Sequence, residues 1–422
     1  MPIADRFKIS AKDRERVRTL ATRQAEIAFS PANLEKERLW YAHNDYVTRE
    51  PVVTIEQWTF QREFAHLIKP ECESDFARGI ENGILWNFIA REYIGDDRVM
   101  PREYCVGTGG WIKPFDIDVK RERSIGDTFA FKIDYAIKDL EADYGLIKKS
   151  PVGASNMKDT REYYDAVDEL IGDILPVKLV TGANINLSAN VYYIMGLETM
   201  MTGMIDYPEL FHKMMNDLTN DYLEMLDTIE KAGAVFPNNS SNGVCQGTYG
   251  YTNLLPQDKH IKHDTYTMND VWGYMDSQET SEISPQMYHE FFFPYYERIS
   301  RRFGRINYGC CESVSAIWDD SVSKYHNVSK VSISPWCDEE KIGDSLRGKK
   351  VIYHRKPFPN YLGVDEEFDE AGFAAHIEKT IKSARGCYFE LSYRDVYSLQ
   401  GDLYRGKKAY EVIRKCIDKW FE

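Results

Sequence analysis

The chain has 422 residues, 43% of them apolar, enough for one large α/β domain or two smaller ones, and a formal net charge of −14 that repels phosphate backbones. No Lys/Arg block is long enough for a nucleic-acid or membrane patch and no stretch approaches a membrane-spanning length, so a small molecule or another protein is the expected partner. Met1 leads into a polar, charged segment rather than an apolar leader, and eight scattered cysteines outline no small disulfide framework. The expected location is therefore the cytoplasm, where packing, metal binding or catalysis are the roles open to the thiols.

In chain order, residues 11–28 read as a helix, and Ser30-Pro31-Ala32-Asn33 marks a helix restart, so residues 1–50 form an N-terminal helical extension over the bottom or side of the domain. Pro51-Val52-Val53-Thr54-Ile55-Glu56 is the first strand. Residues 106–133 carry Gly and Pro breaks between β-prone runs and are expected as an excursion outside the main repeat. A strand at Val177-Lys178-Leu179-Val180 precedes a helical run over residues 191–231, and Gly233-Ala234-Val235-Phe236 reads as the next strand. Residues 238–270, rich in Asn, Ser, Gly and Tyr, are too long for a connector and are expected to form a lid. Strands at 271–276, 305–308, 330–334, 350–353 and 387–391 follow, with helical material between most of them, including an amphipathic segment over 284–305. Alternating βα units over residues 51–422 favour an α/β fold of the (β/α)8 TIM-barrel kind, with insertions near 106–133 and 238–270.

A barrel places its chemistry at the C-terminal ends of its strands. Those ends read Glu56; Asn238-Asn239; Asp276-Ser277-Gln278-Glu279; Cys310-Cys311-Glu312; Cys337-Asp338; His354-Arg355-Lys356; and Tyr393-Arg394-Asp395. Asn307-Tyr308-Gly309-Cys310-Cys311-Glu312 is the most informative of them. If the strand continued, Tyr308, Cys310 and Glu312 would share one face, suited to a soft metal, while Cys311 packed on the other. Each group also has a plainer explanation: buried cysteine as a small hydrophobe, Glu312 as a helix cap, His354 as a hydrogen-bonded structural histidine, Arg394-Asp395 as an ion pair. Cys387 lies at the opposite end of its strand and reads as core.

Met275-Asp276-Ser277, then Ile283-Ser284-Pro285 and Pro294-Tyr295, resemble the uroporphyrinogen decarboxylase superfamily, whose other branch holds zinc-dependent methyltransferases serving corrinoid proteins. Tyr308-Gly309-Cys310-Cys311 stands where those methyltransferases have His-x-Cys-Gly. Val331-Ser332-Ile333-Ser334-Pro335-Trp336 and Lys356-Pro357-Phe358-Pro359 match later strand ends. The arginine-rich N-terminal signature for porphyrin propionates is missing. With Trp40-Tyr41-Ala42-His43-Asn44, the Tyr-Gly-Cys-Cys-Glu variant most resembles the methoxyarene, vanillate-type O-demethylase methyltransferases of anaerobes.

The resemblance implies a barrel of the uroporphyrinogen decarboxylase type that passes the methyl group of a methoxylated aromatic compound to the Co(I) corrinoid of a separate corrinoid protein. No Asp-x-His-x-x-Gly corrinoid motif occurs in this chain. The implied zinc would be held by Cys310, Glu312 and Cys337, with Glu279 and His354 as alternatives. Asp276, Glu279 and Tyr308 are the candidates for acid–base work, and Gln278, Arg394, Asp395 and Trp272 for substrate binding, Arg394 by a bidentate contact to a ring carboxylate. Tyr249, Tyr251 and Tyr266 crowd the expected lid beside Trp272. A decarboxylase of another carboxylic acid and a non-catalytic binding barrel are the competing readings, and a homodimer is one assembly the sequence allows.

Overall fold

The computed structural model describes residues 6–123, 131–257 and 265–421. Two long helices precede the first strand among the described residues. Helix α1 (Ala11–Ala28) starts where the Ser10 side chain accepts the Asp13 amide, and α2 (Pro31–Asn44) starts with proline in its first turn, where a missing N–H costs nothing. The parallel strands are β1 (Val52–Ile55), β2 (Tyr104–Thr108), β3 (Val177–Thr181), β4 (Asn184–Ile185), β5 (Trp272–Met275), β6 (Arg305–Tyr308), β7 (Val328–Ile333), β8 (Ile352–Arg355) and β9 (Tyr388–Tyr393). Seven of them form one parallel sheet in the order β1-β9-β8-β7-β6-β5-β4, while β2 pairs with β3 alone.

Because β3 leads through two residues into β4, the two ladders share one segment of chain, and the strands follow an arc in chain order. Among the described residues no ladder joins β1 to β2. The outer edge of β1 is instead satisfied by side chains: the Val53 amide donates to Asp97 and the Ile55 amide to Asp96, both at 2.7 Å, and Arg98 donates to the Ile55 carbonyl at 2.8 Å. Among the described residues the expected (β/α)8 barrel is thus a barrel-like α/β arc with this seam and no closed ring. Carboxylates have taken the place of a neighbouring strand.

Three sequence expectations change. Residues 104–108 are a strand of the arc rather than part of an excursion; the excursion proper is two antiparallel ribbons, Gly110–Ile112 with Val152–Ala154 and Lys120–Arg123 with Phe131–Asp134. Residues 233–236 form no strand, although the Thr181 amide donates to the Phe236 carbonyl. The amphipathic run after Ser284 is two helices, Pro285–Phe291 and Phe293–Ser300, divided just before Pro294, which lacks the N–H a continuous helix needs.

The expected lid lies inside. From Asn238 to residue 252 the chain threads the interior of the arc, and its backbone is satisfied by polar side chains on the inward strand faces. Thr54 donates to the Gly247 carbonyl at 2.8 Å, Asn307 to the Val244 carbonyl at 2.8 Å and the Trp272 indole to the Gly250 carbonyl at 3.0 Å. Asn238 bridges the Thr181 carbonyl and both backbone groups of Trp272. Glycine, asparagine and serine suit this route because a backbone inside a barrel needs tight turns and close approach. Residues 258–264 of the expected lid lie outside the described residues.

The first two helices lie against the lower end of the arc. Asn44 donates to the carbonyls of Tyr249 and Tyr251, Arg305 at the start of β6 donates to the Asn44 carbonyl, and Trp40 and His43 are fully buried. Above them Lys330 pairs with Glu390 at 2.7 Å, with His43 and His354 each 3.7 Å from that carboxylate. Among the described residues no helix is long and apolar enough to cross a membrane.

Candidate functional site at the strand ends

Strand β6 stops at Tyr308 because Gly309 adopts φ +100°, a conformation that favours glycine, and a Cβ there would press on Ser332. The strand alternation expected for the following residues is lost at this point. Cys310 and Cys311 both face a cavity of about 320 Å3, their sulfurs 3.6 Å apart, instead of dividing between a metal face and a packed face. The cavity is also lined by Lys356, Arg394 and Asp395, with Pro335, Trp336, Pro357, Pro359, Tyr397 and Gln278 as walls.

Cys310 is set up as a thiolate. A hydrogen bond from Cys311, opposed by burial and helped by Lys356 and Arg394, brings its pKa down to about 6, while the same bond and burial push Cys311 up. Gln246 donates to the Cys310 sulfur at 3.3 Å and to the Tyr274 hydroxyl at 2.6 Å, and it accepts from the Lys356 ammonium at 2.7 Å. One amide therefore ties the thiolate to the buried cation. Burial and then Arg394 lower the Lys356 pKa; Cys310, Cys311 and Glu312 act against them. Arg394 bonds Glu56 and Asp395 at 3.2 Å each, and a third nitrogen reaches 4.0 Å from Cys310.

Carboxyl groups beneath the cavity are held toward the neutral form. Burial, then the Asp276 and Cys310 charges, push Glu312 up to about 8, although its oxygens accept the Ser277 amide at 2.9 Å and the Cys310 amide at 2.8 Å. Burial also raises Asp276, which accepts from the Tyr274 hydroxyl at 2.7 Å and from Asn186 at 2.9 Å. Three consecutive residues, Cys245, Gln246 and Gly247, have φ of +71°, +59° and +79°, so the interior segment turns sharply where it meets the thiolate. Strain of this kind in non-glycine residues collects at functional sites.

The residues expected from sequence separate into groups. Cys310, Gln278, Arg394 and Asp395 share the cavity, and Asp276 lies next to it through Tyr274 and Gln246. Tyr308 is fully buried below, its hydroxyl 2.7 Å from Ser277 and 2.6 Å from Tyr288. Glu279 faces a second cavity of about 630 Å3 lined by Tyr135, Tyr192 and Tyr193, where Ser188 donates to it at 2.8 Å and burial raises its pKa. Gln278 lines both cavities. Trp272 is not brought to the rim: it begins β5 at the lower end, under the Arg305 guanidinium at 4.3 Å.

The zinc set does not assemble. The Cys337 sulfur faces the Ser334 hydroxyl and the Glu312 carbonyl, the Glu312 carboxylate is occupied by backbone N–H groups, and two cations flank Cys310. His354 is buried with a pKa lowered to about 3, chiefly by burial, and its Nε2 lies 2.8 Å from the Ser392 hydroxyl. Among the described residues no three or more His, Cys, Asp or Glu groups are arranged to hold a metal ion. The described residues do not fit the implied zinc.

Sequence reasoning left Gln246 and Tyr274 without a role, assigned Cys311 to packing, and had Lys356 only as one member of a strand end. Cysteine, glutamine and glycine in succession inside an otherwise Asn/Ser/Gly-rich segment was the one signal for Gln246.

No protein-family model matches this chain, and no curated protein matches it. Among solved structures, a methyltransferase from Methanosarcina mazei aligns over 89% of this chain and 97% of its own, with 10% identity and a TM-score of 0.49. A protein described as a vitamin-B12-independent methionine synthase from Listeria monocytogenes aligns over 89% and 98%, with 14% identity and a TM-score of 0.36. At those scores neither likeness carries an argument about fold or chemistry.

Proposed function

We propose that the chain is a methyltransferase that removes the methyl group of a methoxylated aromatic compound and delivers it to the Co(I) corrinoid of a separate protein. The observation that carries the proposal is the cavity of about 320 Å3 over the strand ends, which combines an aromatic and proline wall with two cations and a thiolate. The strand-end motifs of the resemblance support the same reading.

An aryl methyl ether resists cleavage because phenolate leaves poorly. The nucleophile is supplied by the partner's corrinoid; this chain supplies the site that accepts the departing oxygen. Lys356 does so as a general acid. Its depressed pKa makes the proton easier to give, while the Cys310 thiolate works to keep the amine charged before the reaction. Trp336 and the three prolines would bracket the ring, and Arg394 would meet a ring carboxylate. Gln246 positions both Cys310 and Lys356.

The test is methyl transfer from a panel of methoxyarenes to a reduced corrinoid protein, followed by the corrinoid spectrum. Methylated corrinoid and free phenol should appear only when chain, methoxyarene and reduced corrinoid protein are all present. Release of carbon dioxide from a ring carboxylate with the methoxy group intact would instead establish a decarboxylase.

A further inference from the structure

The cavity holds two adjacent thiols, Cys310 and Cys311, and methyl transfer as proposed uses only the charge of the first and gives the second no part. We propose that they form a two-electron redox site, which a small peroxide closes to a disulfide between neighbouring residues and a dithiol reopens. This holds whatever the site's substrate proves to be.

Four observations carry it. The two sulfurs are already 3.6 Å apart, and among the described residues no other two thiols are within hydrogen-bonding contact. Both line the cavity, where Cys311 is partly exposed, so a molecule the size of a peroxide reaches them. Their surroundings differ: the Gln246 amide and the Arg394 guanidinium face the Cys310 sulfur, which suits a thiolate, and leave Cys311 as the thiol beside it. Gly309, at φ +100°, precedes the pair, so the backbone on that side is free of the limits a side chain would impose.

The chemistry balances in two steps. The Cys310 thiolate attacks one peroxide oxygen and breaks the O–O bond; the sulfur is oxidised to a sulfenic acid, and the released hydroxide takes a proton from solvent. The Cys311 sulfur then attacks the sulfenic sulfur, and its proton leaves with the hydroxyl group as water. Two thiols and one peroxide have become one disulfide and two waters. Adjacent Cα atoms are about 3.8 Å apart, below the roughly 4.4–6.8 Å of ordinary disulfides, so the bond is strained and readily reduced, as a reversible site requires.

The experiment is a peptide map of the whole protein after one equivalent of hydrogen peroxide and acid quenching. Trypsin releases residues 306–324, which contain both thiols and no other cysteine. That peptide should become about 2 Da lighter, regain the mass on treatment with dithiothreitol, and reduce the alkylatable thiols from eight to six. In Cys311→Ser the same dose should leave a sulfenic acid on Cys310 that dimedone captures, which it does not do in the parent protein. An unmodified peptide, two added oxygens on it, or a cross-link from Cys310 to Cys245 would each overturn the proposal, and the parent protein decides this even if the variant fails to fold.

Discussion

At the scale of the residue, the site depends on Cys310 and the groups around it. Its pKa of about 6 means that the thiolate forms as pH rises through that value, so alkylation by iodoacetamide should increase up to a midpoint near 6 and then level off, with Cys311 lagging throughout. Gln246→Leu deletes a hydrogen bond to a charged sulfur, and since such bonds contribute about 1.5–3 kcal/mol, the midpoint should move up by about 1–2 pH units. A midpoint unchanged in that variant would show that the amide does not hold the thiolate. Lys356→Met tests the proton donor. It should lower methyl transfer by about 100-fold or more, the usual contribution of general acid catalysis, whereas a chelator should leave the parent rate as it was. Activity lost to the chelator and restored by zinc would remove Lys356 from this role.

At the scale of the element, residues 238–252 replace much of the side-chain packing of an ordinary barrel interior. A mobile lid would tolerate shortening; an internal segment does not. Removal of Tyr249 through Leu255 should therefore abolish the cooperative unfolding transition rather than merely slow catalysis, because it strips partners from Trp272, Asn44 and Arg305. Gly250→Ala is the smaller test. A Cβ there would sit on the Asn238 carbonyl oxygen, and the cost should be at least about 2 kcal/mol in a urea titration. A stability equal to the parent's would mean that the segment is not packed as described.

At the scale of the whole molecule, opposing buried groups shape the pH dependence of stability. His354 is held neutral with a folded pKa of about 3 against an ordinary 6.5, and Glu390 is held below its ordinary 4.5, against burial, by Lys330 and then His354. Both contributions are present at neutral pH and are lost as pH falls, because the unfolded chain then binds more protons. Glu312 has the opposite sign: its folded pKa of about 8 exceeds the ordinary 4.5, so its contribution is complete below 4.5 and is lost as pH rises toward 8. Between pH 4.5 and 6.5 the His354 and Glu312 slopes oppose each other, and below that window stability should fall with pH; from about pH 6 to 8 the loss from Glu312 is offset by Cys310, whose folded pKa of about 6 lies below its ordinary 9. Urea midpoints across this range check it. Glu312→Gln should make the midpoint rise more steeply from pH 6.5 to 8 than in the parent, because the Cys310 slope is then unopposed, and a slope unchanged from the parent's would contradict the burial assigned to Glu312.

The amino-acid sequence by itself determined the features that local chemistry controls: the first two helices, most of the parallel strands, and the gathering of Asp276, Cys310, Lys356 and Arg394 at strand ends. Periodicity and capping act over a few residues, so they can be read without the fold. Tertiary structure decided the rest. One glycine at positive φ ended the alternation that had assigned Cys310 and Cys311 to opposite faces, and carboxylates along β1 take the place of a neighbouring strand at the seam. The segment that composition marks as a surface loop entered the interior because Thr54, Asn307 and Trp272 give its backbone partners there. Those partners are distant in sequence, and no local pattern records that they meet.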